Sequence, residues 1–199
     1  MQLPQPRLEG PVSVEKAVQR RRTIRAYADR PLGIDTLAQL LWAAGGITED
    51  RGFKRAAPSA GALYPMDIYV VTGSNSIASR HAGVYHYQPT GHSLSATASG
   101  DRRIQLARTS LGQMWMAEAP ISLVLTAEYS RITGKYGDRG VRYAWIEAGH
   151  MGQNIFLQAE ALGLKAGIVG AFHDQQLARD LALPPARVPL LVMPVGYPK

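Results

Sequence analysis

Four short stretches carry side chains whose types and spacing could do chemistry. Arg21, Arg22, Thr23 and Arg25 place three guanidinium groups and a hydroxyl within five residues. Guanidinium forks match phosphate bidentately and a hydroxyl adds a neutral donor, so this stretch suits a phosphate ester. Each charge-assisted contact contributes roughly 1.5–3 kcal/mol net. The same arginines would also suit a solvated helix end, where cations favour the negative pole of the dipole. Pro58, Ser59, Ala60, Gly61, Ala62, Leu63, Tyr64 and Pro65 form a proline-bounded run of mostly small residues. Such a run lets backbone N–H groups approach a flat ligand, although read alone it is only an irregular loop.

The third stretch is Gly163 followed by Gly167, Ile168, Val169 and Gly170. Its glycines could carry main chain over an aromatic ring, or simply end a helix and open a strand. They lack the GxGxxG spacing of a dinucleotide fingerprint. The fourth is Lys135 with Tyr136. An ammonium near a phenol favours the phenolate and so provides a base, but sequence neighbours need not face one another.

Composition narrows the chemistry. The chain has 199 residues, 46% of them apolar, enough for one domain with a real core. There is no cysteine, which excludes disulfides, thiolate catalysis and cysteine-held clusters. The histidines, His81, His86, His92, His150 and His173, show no HExxH pattern, so no metal site is expected. His150 reads as a hydrogen-bonded core histidine. Redox chemistry would have to come from an organic cofactor. Apolar runs such as residues 121–127 and 189–195 are far shorter than the roughly 20 residues of a spanning helix, so no membrane association is expected. No export signal is read at the start, and cytoplasm is the expected compartment. The net charge of +7 is focused on Arg20, Arg21, Arg22 and Arg25, with Arg51, Lys54, Arg55, Arg102 and Arg103 scattered elsewhere. One cationic cluster, mixed with Glu15 and Asp29, suits a small phosphate ligand better than nucleic acid.

The elements that must position these residues follow from periodicity. Ser13 can cap a helix with Val14, Ala17 and Val18 on one face, delivering the arginines at its end. Residues 34–44 read as a core helix through Ile34, Leu37, Leu40, Leu41 and Ala44, stopped by Gly45 and Gly46. Residues 66–71 read as a strand, and 84–87 with 93–97 as a peripheral hairpin. Ile104, Ala107, Leu111, Met114 and Trp115 mark one helix, 121–127 a strand, and 130–140 a polar loop. A long central helix is expected from Ala144, Ala148, Met151, Ile155, Ala159 and Leu162. A strand over 165–170, a helix over 174–181 capped by Asp174, and a strand over 190–195 complete the chain. Without strict βαβ alternation the fold class is α+β, one domain over residues 1–199.

Taken in order, these stretches resemble the nitroreductase superfamily, and more narrowly its SagB/ThcOx-type dehydrogenases. Residues 21–27 (RRTIRAY) are similar to the family's N-terminal RRSxRxY signature, and 58–65 to the PSAGALYP segment. Residues 135–143 resemble KYGxRGxRY, and Glu147, Gly149, His150, Gln153 and Asn154 an ExGHxxQN helix. The resemblance implies a central mixed or antiparallel sheet flanked by helices, in an intertwined homodimer that binds FMN at its interface. It implies that Arg21, Arg22, Thr23 and Arg25 hold the FMN phosphate, and that residues 58–65 reach the flavin across the interface. Residues 167–170 would pass near its ring. Lys135 and Tyr136 would assist proton removal as a thiazoline or oxazoline becomes an azole. The substrate implied is a small molecule or modified peptide; NAD(P)H would serve the superfamily's nitro and quinone reductases. Two departures stand out. Ala62 replaces the flavin-contacting asparagine of many nitroreductases, and beyond Tyr197 and Pro198 only Lys199 is left to stand for a basic C-terminal tail.

Overall fold

Strand β4 (Ile121–Ala127) is buried at every position, which requires cover on both faces. The computed structural model, which describes residues 1–49, 52–74, 76–77 and 81–199, provides that cover. Strands β1 (Met66–Thr72), β2 (Gly83–Gln88), β3 (Ser93–Ser99), β4, β5 (Lys165–Ala166) and β6 (Val188–Gly196) form one sheet in the order β3-β2-β1-β4-β6-β5. Every pairing between these strands is antiparallel. Successive side chains alternate between faces, so Ile68 and Val70 of β1 join one core while Tyr69 and Val71 join the other. The first core is roofed by α2 (Ile34–Gly45) and α5 (Arg139–Ala161), the second by α3 (Arg103–Thr109) and α6 (Asp174–Asp180). The α+β expectation holds, and the hairpin β2–β3 lies at the sheet's edge as expected.

Helix α1 (Val14–Arg20) begins as read, with Ser13 Oγ accepting from the Lys16 N–H at 3.2 Å. Its stripe is not core: Ala17 is buried, but Val14 and Val18 are exposed. The single helix expected over residues 104–115 is broken. Helix α3 stops at Thr109, Leu111 and Gly112 turn back in the left-handed region, and residues 114–118 form a separate 3-10 turn. Buried Thr109 fixes that end by donating to Asp180 Oδ2. The strand expected over 165–170 pairs only at Lys165 and Ala166, with one further bridge from Val169 to Val192. Asp174 lies inside the first turn of α6, one residue past the N-cap position. Arg51 falls outside the described residues.

The polar loop expected over 130–140 is a helix, α4 (Ser130–Tyr136), followed by a left-handed turn at Gly137. Its serine, threonine and glycine have poor helix propensity, and tertiary contacts decide the matter. Ile132 is fully buried, Thr133 Oγ1 donates to the Tyr129 carbonyl at 3.0 Å, and Arg131 pairs with Glu128 at 2.6 Å and Asp67 at 3.1 Å. Gly140 lets α4 lie against the start of α5, because a Cβ there would come within 3.1 Å of the Ile132 backbone.

Candidate functional site

Helix α4 carries Lys135 and Tyr136 on its last turn, beside the 58–65 loop. That loop is strained. Gly61, Ala62 and Tyr64 have φ of 61°, 53° and 47°, and for the two non-glycine residues this costs about 1–3 kcal/mol each. Several contacts hold it. Ser59 Oγ accepts from the Tyr64 N–H at 2.9 Å, Arg131 donates to the Tyr64 carbonyl at 3.4 Å, and the Arg55 guanidinium stacks 4.2 Å from the Tyr64 ring centre. At Gly61 a Cβ would lie 2.7 Å from the Tyr136 hydroxyl and 3.1 Å from Lys135 Nζ. The second and fourth stretches therefore meet within one chain, and only glycine allows that approach. Lys135 Nζ stands 5.3 Å from the Tyr136 ring centre, and Tyr143 packs edge-on against that ring at 5.1 Å.

Between this loop and α5 opens a cavity of about 270 Å³ lined by Ser59, Ala60, Tyr143, Ile146, Glu147 and His150. His150 is exposed at the cavity, which corrects the expectation of a core histidine. In the sequence Glu147 enters only as part of the ExGHxxQN match, with no role assigned to it. It is 3% exposed, and its Oε2 has no hydrogen-bond partner among the described residues. Burial pushes its carboxyl up to about 7, while Ser59 and the Arg55 charge pull the other way. A signal existed: Glu147 sits three residues after Ala144 and four before Met151, an acid within the apolar stripe of α5. A larger cavity of about 370 Å³ lies between residues 7–14, α2 and α5, and none of the candidate residues lines it.

The first and third stretches meet elsewhere. Thr23 forms a parallel bridge with Ala166, and the Ile24 N–H donates to the Ala166 carbonyl at 3.1 Å. A Cβ on Gly167 would fall 2.7 Å from the Trp115 ring and 3.1 Å from the Ile24 carbonyl, so glycine is required for this seam. Val169 is buried, whereas Ile168 and Gly170 are exposed. Arg21 lies over Phe156 and Arg25 over Trp115. Arg22 donates to the carbonyls of Gln19 and Arg21. Among the described residues none of these three arginines has an acidic partner, so their charge is free for an anion. Lys199 does have one, pairing with Glu118 at 2.8 Å.

Among the described residues no hydrogen bond, ion pair or aromatic contact joins the two clusters within one chain. Both are tied to α5, through Glu147 beside Ser59 and through Phe156 beneath Arg21. The nine positions between them amount to about 14 Å along the helix and about half a turn around it. The clusters thus belong to opposite sides of α5.

Residues 18–197 match the model of the nitroreductase family. The chain belongs to the nitroreductase family. This is a family of flavin-using oxidoreductases, and the chain is 42% identical over 185 residues, 93% of itself and 91% of the relative, to a Methanocaldococcus jannaschii protein named as a nitroreductase. It is 31% identical over 169 residues to the microcin B17-processing protein McbC of Escherichia coli, covering 83% of itself and 62% of McbC. The solved E. coli microcin synthetase McbBCD complex with truncated pro-MccB17 bound contains a chain that overlays with TM-score 0.78 and 26% identity, covering 99% of this chain and 77% of that one. A crystal structure named as a nitroreductase from Ralstonia eutropha overlays with TM-score 0.87 and 29% identity over all of this chain and 89% of that one. The nitroreductase-like fold and the SagB-like resemblance both hold. No helix among the described residues is long and apolar enough to cross a membrane.

Proposed function

We propose that the protein is an FMN-dependent oxidoreductase of the SagB/ThcOx type, acting as a homodimer on an azoline carried by a small molecule or a modified peptide. The observation that carries this reading is the convergence of Lys135 Nζ and the Tyr136 hydroxyl on Gly61. The residues fit the cofactor. Arg21, Arg25 and Thr23, with Arg22 beside them, offer unpaired cations and a hydroxyl for its phosphate. The 58–65 loop offers closely approaching main chain, and residues 167–170 a narrow seam that a ring can lie against. FMN, when bound, supplies the two-electron step, taking the hydride as the substrate loses a hydride and a proton to become an azole. Tyr136 acts as the phenolate, its charge balanced by the nearby Lys135 ammonium, and takes the substrate proton at its oxygen to become the neutral phenol. Tyr143, packed edge-on, holds the Tyr136 ring in place.

Two chains supply one site in this reading, since the arginine cluster and the loop lie on opposite sides of α5. The exposed apolar side chains Trp145 and Ile146 of α5 and Val14 and Val18 of α1 suit burial against a second copy. McbC supports the peptide-borne substrate through what its name says it processes. The test is an absorption spectrum followed by incubation with an azoline-bearing peptide under air. A yellow protein that shortens the peptide by two mass units is expected; a colourless protein that refuses added FMN overturns the reading. The names of the M. jannaschii and R. eutropha relatives favour a second reading, a NAD(P)H-dependent nitro or quinone reductase. That reading requires anaerobic NAD(P)H to bleach the flavin.

A further inference from the structure

Glu147 is buried, titratable and unused by the chemistry above. Its carboxyl borders two spaces. On one side is the open cavity shared with Ser59, Tyr143 and His150. On the other is a narrow cavity of about 20 Å³, room for one water, shared with Arg55, Tyr64, Asp67 and Tyr87. Arg55 Nε is buried without a hydrogen-bond partner among the described residues, as is Glu147 Oε2. Tyr64 is the hinge of this cluster. Its φ is 47°, its N–H is bound by Ser59, its carbonyl by Arg131, and its ring lies on Arg55. Ser59 and Arg55, both neighbours of Glu147, therefore grip the residue that ends the strained path.

We propose that Glu147 is the positioning residue of the 58–65 loop, holding its left-handed backbone through Ser59 and Arg55 as a neutral acid and loosening it on ionisation. This rests on the reading of that loop as the flavin- and substrate-facing element. The direction follows from chemistry. An oxygen without a donor costs a buried carboxylate more than a buried neutral acid, so the geometry favours the neutral acid. On ionisation the carboxylate draws the Arg55 guanidinium or water toward itself, and the stack of Arg55 on Tyr64 is disturbed. The charged and titratable groups around it are Arg55 from just before the loop, Tyr64 from the loop, Asp67 from β1, Tyr87 from β2, Arg131 from α4, and Tyr143 and His150 from α5. Asp67 is committed to His86, Arg131 and Arg187. The nearby cation left for Glu147 is therefore Arg55, whose own charged form burial disfavours.

The test is hydrogen–deuterium exchange of the 58–65 segment in flavin-free protein at pH 6 and pH 8, corrected for the intrinsic rate, in wild type, Glu147→Gln and Glu147→Ala. The expected result is roughly tenfold faster loop exchange at pH 8 than at pH 6 in wild type, corresponding to about 1.4 kcal/mol of opening. Glu147→Gln should stay slow at both values and Glu147→Ala fast at both. FMN affinity, read by fluorescence quenching, should follow the same pattern. Equal pH dependence in wild type and Glu147→Gln, or none in wild type, overturns the inference. If the exchange pattern appears but FMN binds to no variant, the positioning stands and the flavin reading falls.

Discussion

The 58–65 loop and the seam of Thr23 and Ile24 against Ala166 and Gly167 are both irregular main chain in the proposed site, yet they are held by different means. The seam borrows sheet-like hydrogen bonds and a glycine that fits under Trp115, and its arginines remain partly exposed and unpaired. The loop stores left-handed strain at Ala62 and Tyr64 over a buried acid. On the proposed reading one region holds charge that is already present and the other holds groups that exchange protons. Loss of the seam's arginines should therefore appear as lost cofactor, and loss of the Tyr136 hydroxyl that meets the loop as lost turnover.

The largest expected effect is on the loop side. Tyr136→Phe should lower kcat by about 10²–10⁴-fold while flavin content is unchanged, as measured by steady-state rates normalised to bound FMN. Arg25→Ala should do the reverse, weakening FMN by about 10-fold or more per lost contact with kcat of the loaded enzyme nearly intact. If both variants lost flavin equally, the division would be wrong. Next comes Glu147. With its folded pKa raised from 4.5 to about 7, the wild type is destabilised relative to Glu147→Gln as pH rises through that window, by about 3 kcal/mol in full. Below pH 4.5 the two should differ little; denaturant melts at pH 4, 6 and 8 read this directly. The smallest effects are on packing. Gly61→Ala should cost about 1–3 kcal/mol from φ alone and also displace the Tyr136 hydroxyl, whereas Gly167→Ala should cost a similar amount by forcing Trp115 aside. Only the first should alter the pH profile of kcat.

Much of this comparison was legible in the sequence. Strand β4 has the bounds read from its run of Ile121, Leu123, Val124 and Leu125, because a strand covered on both faces is mostly apolar, Ser122 and Thr126 being the polar exceptions. Helix α2 and the β2–β3 hairpin announced themselves by period and turn residues. Helix α4 did not, since one buried side chain, Ile132, and the ion pairs of Arg131 stabilise a segment with weak propensity. The break after Thr109 was hidden because Leu111 and Met114 continue a helical period while the backbone reverses at Leu111 and Gly112. The pairing of Lys135 and Tyr136 with Gly61 is a contact between residues more than seventy positions apart, which periodicity cannot reveal. Glu147 was visible as a lone acid in an apolar stripe, but its meaning depended on Ser59 and Arg55, which only the fold brings beside it.

On the proposed reading one flavin site draws its arginines from one chain and its loop from another. Complementation tests this: Arg25→Ala and Tyr136→Phe chains are mixed, exchanged by mild denaturation and refolded together, and the turnover is compared with either variant alone at an FMN concentration that fills the wild-type site but leaves the Arg25→Ala site largely empty. A site built from two chains gives each mixed dimer one wild-type site, so recovery to about a quarter of wild-type activity is predicted. Activity no higher than the average of the two separate variants would contradict the account, because every site would then be complete within a single chain.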